Sequence, residues 1–458
     1  MTATLASARA AISAMSIAER LDRLALTPLH VAIIALCTLG LAADIGEVAL
    51  SNTFSAIFLA PPYNASRGDV AWLLAAVFAG GAIGAPIFGW LGDRGGRRTA
   101  LQLALAVLVA SSLAVAFSPD LTWMTVLRFV SGLALGGYPP LTAAYLADVL
   151  PPRRRGFNMM QCGAAAFLGA PAVIFLIRWL TPWAPLGIEG WRWALIAGAA
   201  VSALAASLFF LVPESPRWLA ALGRTAEAER SYRYFEAATP RVISPFAQAS
   251  TNAAPDLSKT GDSAIAETPS HFRRSLLLAA LYGLGPWATI GFPLLSAAVI
   301  LQKGFRVGDS LLFAGVSMLG PTLGVGALAI LVDRIERRLT LILCAATMTA
   351  LGLVFAVSTT LATLIALGIG FNLTSAAYSV VLSIYGAELF PTKLRALATS
   401  AGWGAGRVVS ALVPIVLLPL LGTQGPLAMF GLIAAALLIS IFLIFAAGPP
   451  GLAKKPVQ

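Results

Sequence analysis

Charge is scarce in this sequence: 458 residues carry 31 Lys and Arg, 20 Asp and Glu and 2 His. Charged residues make up 11% of the chain, where a soluble domain averages about a quarter. Cysteine is scarcer still. Cys37, Cys162 and Cys344 lie far apart within apolar runs, which excludes a disulfide framework and reads as three small hydrophobes. His30 and His271 stand at the edges of apolar runs, so no metal set forms around them and neither is a mid-membrane proton relay. No HExxH, Walker motif, Ser/His/Asp set or Cys/His cluster occurs. The sequence therefore calls for no cofactor or metal, no catalytic centre and no direct use of ATP. Long polar stretches are nearly absent too. A basic stripe for nucleic acid needs a soluble face, and none is available.

Apolar residues fill the space, at 58% of the chain. A chain of this size cannot hide that much apolar surface within itself, so lipid must be its solvent. Runs long enough to span a bilayer begin near residues 31, 69, 99, 121, 157 and 191, then 273, 308, 339, 360, 396 and 425. The expected organisation is a tail at 1–30, six helices over 31–212, a linker at 213–272, six helices over 273–447 and a tail at 448–458. The first helix reads as an uncleaved anchor, since no compact apolar stretch with a small-residue cleavage site precedes it. Of the 31 basic residues, 24 fall in the tails and loops of one side. Five fall on the other (Arg67, Arg178, Arg192, Lys303 and Arg306), and Arg128 and Arg407 fall within spans. That imbalance predicts both termini in the cytoplasm and accounts for the net charge of +11. Within the linker, residues 213–238 have amphipathic helical character. The remainder is rich in Ser, Thr, Ala and Pro without periodicity, and reads as a hinge.

Two charged motifs recur at one displacement. GWLGDRGGRR around Asp93 returns as AILVDRIERR around Asp333, and YLADVLPPRRRG around Asp148 returns as YGAELFPTKLRA around Glu388; both pairs differ by 240 positions. Tyr145 and Tyr385, and Arg155 and Arg395, keep that register. Two motifs with one offset mean a duplicated unit, and a unit of apolar segments this long reads as half of a transporter.

Twelve spans in two repeats, with Gly89, Asp93, Arg94, Gly96, Arg97 and Arg98 after the second, resemble the major facilitator superfamily. The resemblance covers about residues 30 to 447. It implies an all-α membrane protein of two pseudo-symmetric six-helix bundles, working as a monomer on a small solute by alternating access. In that family the Asp93-type motif links helices across the cytoplasmic face and helps hold the outward-open state. Asp148 and Arg155, with Asp333, Arg334, Arg337, Arg338, Glu388 and Arg395 in the second copy, complete the expected gating set. The second copy has Val332, Ile335 and Glu336 where the first has glycines.

PESPRWL at 213–219 resembles sugar porters and their organic-ion and synaptic-vesicle-protein relatives. RFVSG at 128–132 looks like the fourth-helix motif of proton-coupled members. LAADIGEVAL in the first span is similar to the D-x-x-[DE] element of aromatic-acid and nicotinate carriers. The seventh span lacks the paired glutamines of sugar porters. The resemblance therefore implies a bacterial inner-membrane symporter of protons and small organic carboxylates. Drug or organic-cation efflux, sugar uptake and a nontransporting sensor are the alternatives.

Asp44 and Glu47 are the only acids well within a span, and their spacing puts them on one face of the first helix. A charge in lipid is costly enough that function is its first explanation. Depth places Asp44 ~21 Å above His30 and Arg128 roughly 20 Å from the cytoplasmic side. Asp44 is therefore expected to pair with Arg128, with Glu47 sharing the proton site, unless the pair is a fixed clamp. Arg407, ~16 Å deep, is expected to meet a substrate carboxylate or, failing that, a lipid headgroup or backbone carbonyls at helix breaks. Tyr138, Trp287, Tyr378 and Trp403 are candidates to line the cavity, against the commoner role of packing.

Overall fold

The computed structural model describes residues 15–238, 269–331, 336–390 and 392–449, and every element among them is helical. A short helix α1 (Ile17–Asp22) precedes the first half, α2 (Pro28–Leu59), α3 (Arg67–Gly95), α4 (Arg97–Ala116), α5 (Leu121–Val149), α6 (Arg155–Ala166), α7 (Gly169–Leu180) and α8 (Gly190–Leu208). Two surface helices follow, α9 (Pro216–Ala221) and α10 (Thr225–Ala237). The second half comprises α11 (Pro269–Thr289), α12 (Gly291–Gln302), α13 (Val307–Ser317), α14 (Leu319–Leu331), α15 (Arg337–Val357), α16 (Leu361–Glu388) and α17 (Thr392–Ala447). Ten segments among the described residues are long and apolar enough to cross a membrane. The last of them is two spans joined at Gly425, where φ is +84°. α5, 29 residues long and carrying Arg128 and Asp148, packs against α3 among them.

Helix ends follow local chemistry. Thr27, Ser66 and Asp120 cap α2, α3 and α5 by accepting from His30 N, Asp69 N and Trp123 N. Three spans are broken midway, at Phe167–Leu168, Ile290 and Met318, each within four residues of a following proline (Pro171, Pro293 and Pro321). Proline lacks the N–H that the carbonyl at i−4 needs and its ring collides with that carbonyl, so the helix ends there. Pro139, Pro140 and Pro286 lie inside continuous helices.

The duplicated unit is visible in backbone packing. A Cβ on Gly80 or Gly84 would sit 2.1 Å from Phe129 O or 1.9 Å from Leu133 O, so α3 and α5 touch backbone to backbone. In the second half, Gly320 and Gly324 oppose Ile369 O and Leu373 O at 2.5 Å each. All four contacts repeat at the 240-residue offset. Small residues permit this approach where lipid supplies no hydrophobic drive between helices.

The halves meet on the side away from the arginine loops. There Ala297 N donates to Asn52 Oδ1 (3.2 Å), Arg178 Nε donates to Gly308 O (3.2 Å) and Arg67 packs on Gly422. One apolar cluster runs across both halves at that level, through Phe54, Phe58, Trp191, Phe292 and Phe355. Towards the basic loops, a separate cluster around Phe88, Leu101, Tyr145 and Phe209 belongs to the first half alone.

Candidate functional site

Arg128 is fully buried, and the chain gives it three acceptors. Its Nη1 donates to Glu47 Oε1 at 2.6 Å, and its Nη2 to Ser51 Oγ (2.6 Å) and Glu47 O (3.2 Å), with Phe54 beside the guanidinium. The partner is therefore Glu47, and not Asp44 as the depth argument expected. A depth good to one turn cannot separate positions three apart. Glu47 lies a turn nearer the end of α2 that faces the start of α5, where Arg128 sits.

Asp44 is as buried as Glu47, each 4% exposed, but Asp44 makes no ion pair or hydrogen bond among the described residues, and its Oδ1 is without a partner. The strongest charge it feels is that of Arg407, on α17 of the other half, and Asp44 is in turn the charge felt by Arg407. The two are farther apart than an ion pair. Arg407 stacks on Trp403 at 4.2 Å and is partly exposed to a cavity of about 250 Å3 lined by Tyr282, Tyr378, Ser379, Trp403 and Ser410. An adjoining cavity of about 280 Å3 lies between the halves and shares Thr289, Ile290 and Ser379 with the first. Its wall includes Phe167, Thr289, Met318 and Pro321 from the three broken helices. Broken helices are tolerated at such depth where they line a cavity. Asn372 Nδ2 donates to Ser317 O (3.2 Å), capping the carbonyl that Pro321 frees.

Tyr378, Trp403 and Arg407 thus converge on one cavity. Tyr138 is buried against Gly40, and Trp287 packs on the main apolar cluster; neither lines the two cavities described. Tyr282, Asn52 and Asn372 were not anticipated.

On the basic face, Arg97 bonds Asp93 and lies 3.6 Å from Asp148. Arg98 N donates to both oxygens of Glu214 (3.0 and 3.1 Å), and its Nη1 to Val212 O (3.0 Å). Trp218 Nε1 donates to Asp93 O (2.8 Å) and Ser215 Oγ to Asp148 Oδ2 (3.0 Å), so the loop after α3 is fastened to the PESPRWL segment. Gly96 has φ +107°, and a Cβ there would meet Glu214 Oε2 at 2.3 Å, which accounts for this glycine. Gly89 has open space around it, so it does not serve close packing. Arg94 lies over Trp90, and Arg155 bonds Leu150 O and Asp22. The second half repeats the pattern. Arg337 faces Glu388 at 3.4 Å, Arg338 donates to Phe445 O (2.8 Å), and Tyr385 bonds Pro449 O as Tyr145 bonds Pro213 O. Asp333, Arg334 and the Arg395 side chain lie outside the described residues.

Helix α1 is held by Arg20, which donates to both oxygens of Glu229 (2.7 and 3.1 Å) and stacks on Tyr232. The Arg20 bond keeps the Glu229 carboxyl below its ordinary range. A carboxyl lowered in the folded state contributes stability that is present above the ordinary glutamate pKa and lost as pH falls through the folded one. Docking of α1 should therefore persist from neutral pH to mild acid and loosen below the ordinary glutamate range. Glu229→Gln should loosen it at neutral pH, by roughly two- to fivefold since the pair is near the surface. Hydrogen exchange of the α1 amides, corrected for intrinsic rates, measures both; a pH-independent opening equal in the two proteins would contradict the assignment.

Comparison with known proteins gives a family. The sugar (and other) transporter family matches residues 31–450. A putative metabolite transport protein of Escherichia coli K12, YdjK, is 28% identical over 96% of this chain and 95% of its own length. The niacin transporter NiaP of Acinetobacter baylyi is 25% identical over 88% and 90%. The inward-open, partially occluded structure of the E. coli xylose transporter XylE superposes with a TM-score of 0.72 over 93% of this chain and 99% of that one, at 16% identity. A family match over nearly the whole length, on a fold of two repeated helical halves, means that the chain belongs to the sugar (and other) transporter family, as a multi-pass membrane transporter.

Proposed function

We propose that the protein imports a small organic carboxylate together with a proton, its basic face lying in the cytoplasm and its two halves rocking about the central cavities. The observation that carries the reading is the division of charge. Glu47 and Arg128 form a buried pair within the first half, while Arg407 lines a cavity in the second without a carboxylate partner among the described residues. Protonation of Glu47 would release Arg128 from its ion pair and change the packing of α2 on α5. Arg407 presents a planar donor fork that suits a carboxylate, and Trp403, Tyr282 and Tyr378 suit an aromatic or apolar body. The Asp93–Arg97–Asp148 and Arg337–Glu388 contacts would act as gates on the basic face. Coupling in this reading lies at Glu47 rather than Asp44.

A second reading, uptake of a sugar, draws on Asn52 Nδ2 and Asn372 Oδ1. Both atoms are buried without partners, on side chains lining the cavity between the halves, where hydroxyls could meet them. Proteoliposome uptake of benzoate, nicotinate, xylose and an organic cation, with and without an inward proton gradient, separates the two. Gradient-driven accumulation of a carboxylate, lost in Arg407→Gln, supports the first reading; accumulation of xylose alone would replace it with the second.

A further inference from the structure

Among the described residues that line the cavity of about 280 Å3 between the halves there is no charged side chain, but there are two asparagines, one from each half. Asn52 is on α2 and Asn372 on α16, and each is 1% exposed. The fold uses one end of each amide. Ala297 N can only donate, so it holds Asn52 with Oδ1 towards α12 (3.2 Å); Ser317 O can only accept, so it holds Asn372 with Nδ2 towards the end of α13 (3.2 Å). The other ends, Asn52 Nδ2 and Asn372 Oδ1, are buried without partners among the described residues. One is a donor and the other an acceptor, and leaving such groups unmet is costly. This cavity is continuous with the one that Arg407 lines, since Thr289, Ile290 and Ser379 belong to both walls. At that junction the hydroxyls of Thr289 and Ser379 donate within their own helices, to Gly285 O (3.2 Å) and Ser375 O (3.0 Å), so neither supplies the proton that Asn372 Oδ1 lacks.

We infer that the transported carboxylate carries a second, uncharged group that both donates and accepts a hydrogen bond, a hydroxyl or a carboxamide, and that Asn52 Nδ2 and Asn372 Oδ1 recognise it. The inference rests on the carboxylate reading above and narrows it. The carboxylate belongs in the cavity lined by Arg407. In the adjoining cavity an anionic group would leave Asn372 Oδ1 facing another acceptor, and a cationic group would leave Asn52 Nδ2 facing another donor. A hydroxyl suits both, its oxygen accepting from Asn52 and its proton going to Asn372. Val48, Phe78, Phe167 and Met318 on the same wall suit a compact apolar body between the two polar ends. A sugar would meet the amides and leave Arg407 unmet; a plain aromatic acid would do the reverse. Because Asn52 and Asn372 belong to different halves, a group held by both draws the halves together, which is the differential contact that a closing step requires. Selectivity follows from the mismatch, since an analogue without the group leaves buried amide atoms unpaired.

The test is equilibrium binding to the full-length protein in lipid nanodiscs, read by calorimetry. The probes are meta- and para-hydroxybenzoate, the matching fluorobenzoates, benzoate and xylose; fluorine is close to a hydroxyl in size but cannot donate. In the parent protein the better hydroxybenzoate should bind roughly tenfold or more tighter than its fluoro analogue and than benzoate. Asn372→Leu, which removes the acceptor, should bring the hydroxyl-to-fluorine ratio to about one, and Arg407→Gln should lose every carboxylate. A fluorobenzoate or benzoate binding as tightly as both hydroxybenzoates in the parent, or a ratio unchanged in Asn372→Leu, overturns the assignment of the second group and leaves carboxylate transport standing. If xylose alone binds, or none of the probes, both readings fall. The parent's own selectivity decides the matter even if a variant does not fold.

Discussion

Glu47→Gln is expected to end concentrative uptake while leaving the protein folded and able to exchange substrate. Glutamine keeps an oxygen where Glu47 Oε1 accepts from Arg128, and the backbone oxygen of residue 47 and Ser51 Oγ remain as its other acceptors. The arginine therefore stays hydrogen-bonded, but the site is fixed in the charge state of a protonated glutamate. With one proton coupled and no membrane potential, each pH unit stores about 1.36 kcal/mol. A gradient of about two units then supports roughly hundredfold accumulation. In Glu47→Gln the accumulation ratio should fall to about one, with counterflow of labelled substrate persisting. Arg128→Leu makes the contrast, because it strands the buried carboxylate. Breaking such a pair from one side costs about 3–5 kcal/mol, so this variant should be recovered poorly or melt early. Accumulation by Glu47→Gln at the parental level would remove Glu47 from coupling and return attention to Asp44.

The span pattern was legible because lipid imposes it. Runs of apolar residues, loops bearing arginine and the 240-residue repeat each report a global constraint that needs no side-chain detail. Legibility failed at the scale of one helical turn. Asp44 and Glu47 share a face and a charge, and the choice between them depends on the tilt and rotation of α2 against α5. Proline told a similar story. The eye is drawn to Pro139–Pro140 and Gly283–Pro286, but α5 and α11 run through them, while the solitary Pro171, Pro293 and Pro321 end their helices. The fastening of Arg98 to Glu214 and of Trp218 to Asp93 joins two motifs that are distant in sequence. Each motif could be read alone, but their contact required the fold.

Gly84→Ala should destabilise the first half far more than the change at any motif glycine with open surroundings. The added Cβ would lie 1.9 Å from Leu133 O. The obstacle is backbone, so relief requires α3 and α5 to move apart along their shared face, where Gly80, Gly132 and Gly136 make similar contacts. Overpacking of this kind typically costs about 1–3 kcal/mol, against a helix-propensity gain of about 1 kcal/mol for replacing glycine by alanine. At Gly324 the corresponding Cβ would have 2.5 Å to Leu373 O, and at Gly89 nothing lies within 4 Å. Melting temperatures in one detergent should therefore rank Gly84→Ala lowest, Gly324→Ala between, and Gly89→Ala at or slightly above the parent, with a drop of about 5 °C at Gly84. Equal melting of the Gly84 and Gly89 variants would mean that α3 and α5 do not approach this closely. It would also remove the reason for treating each half as a rigid body, since a half can rock as a unit only if its helices cannot slide past one another.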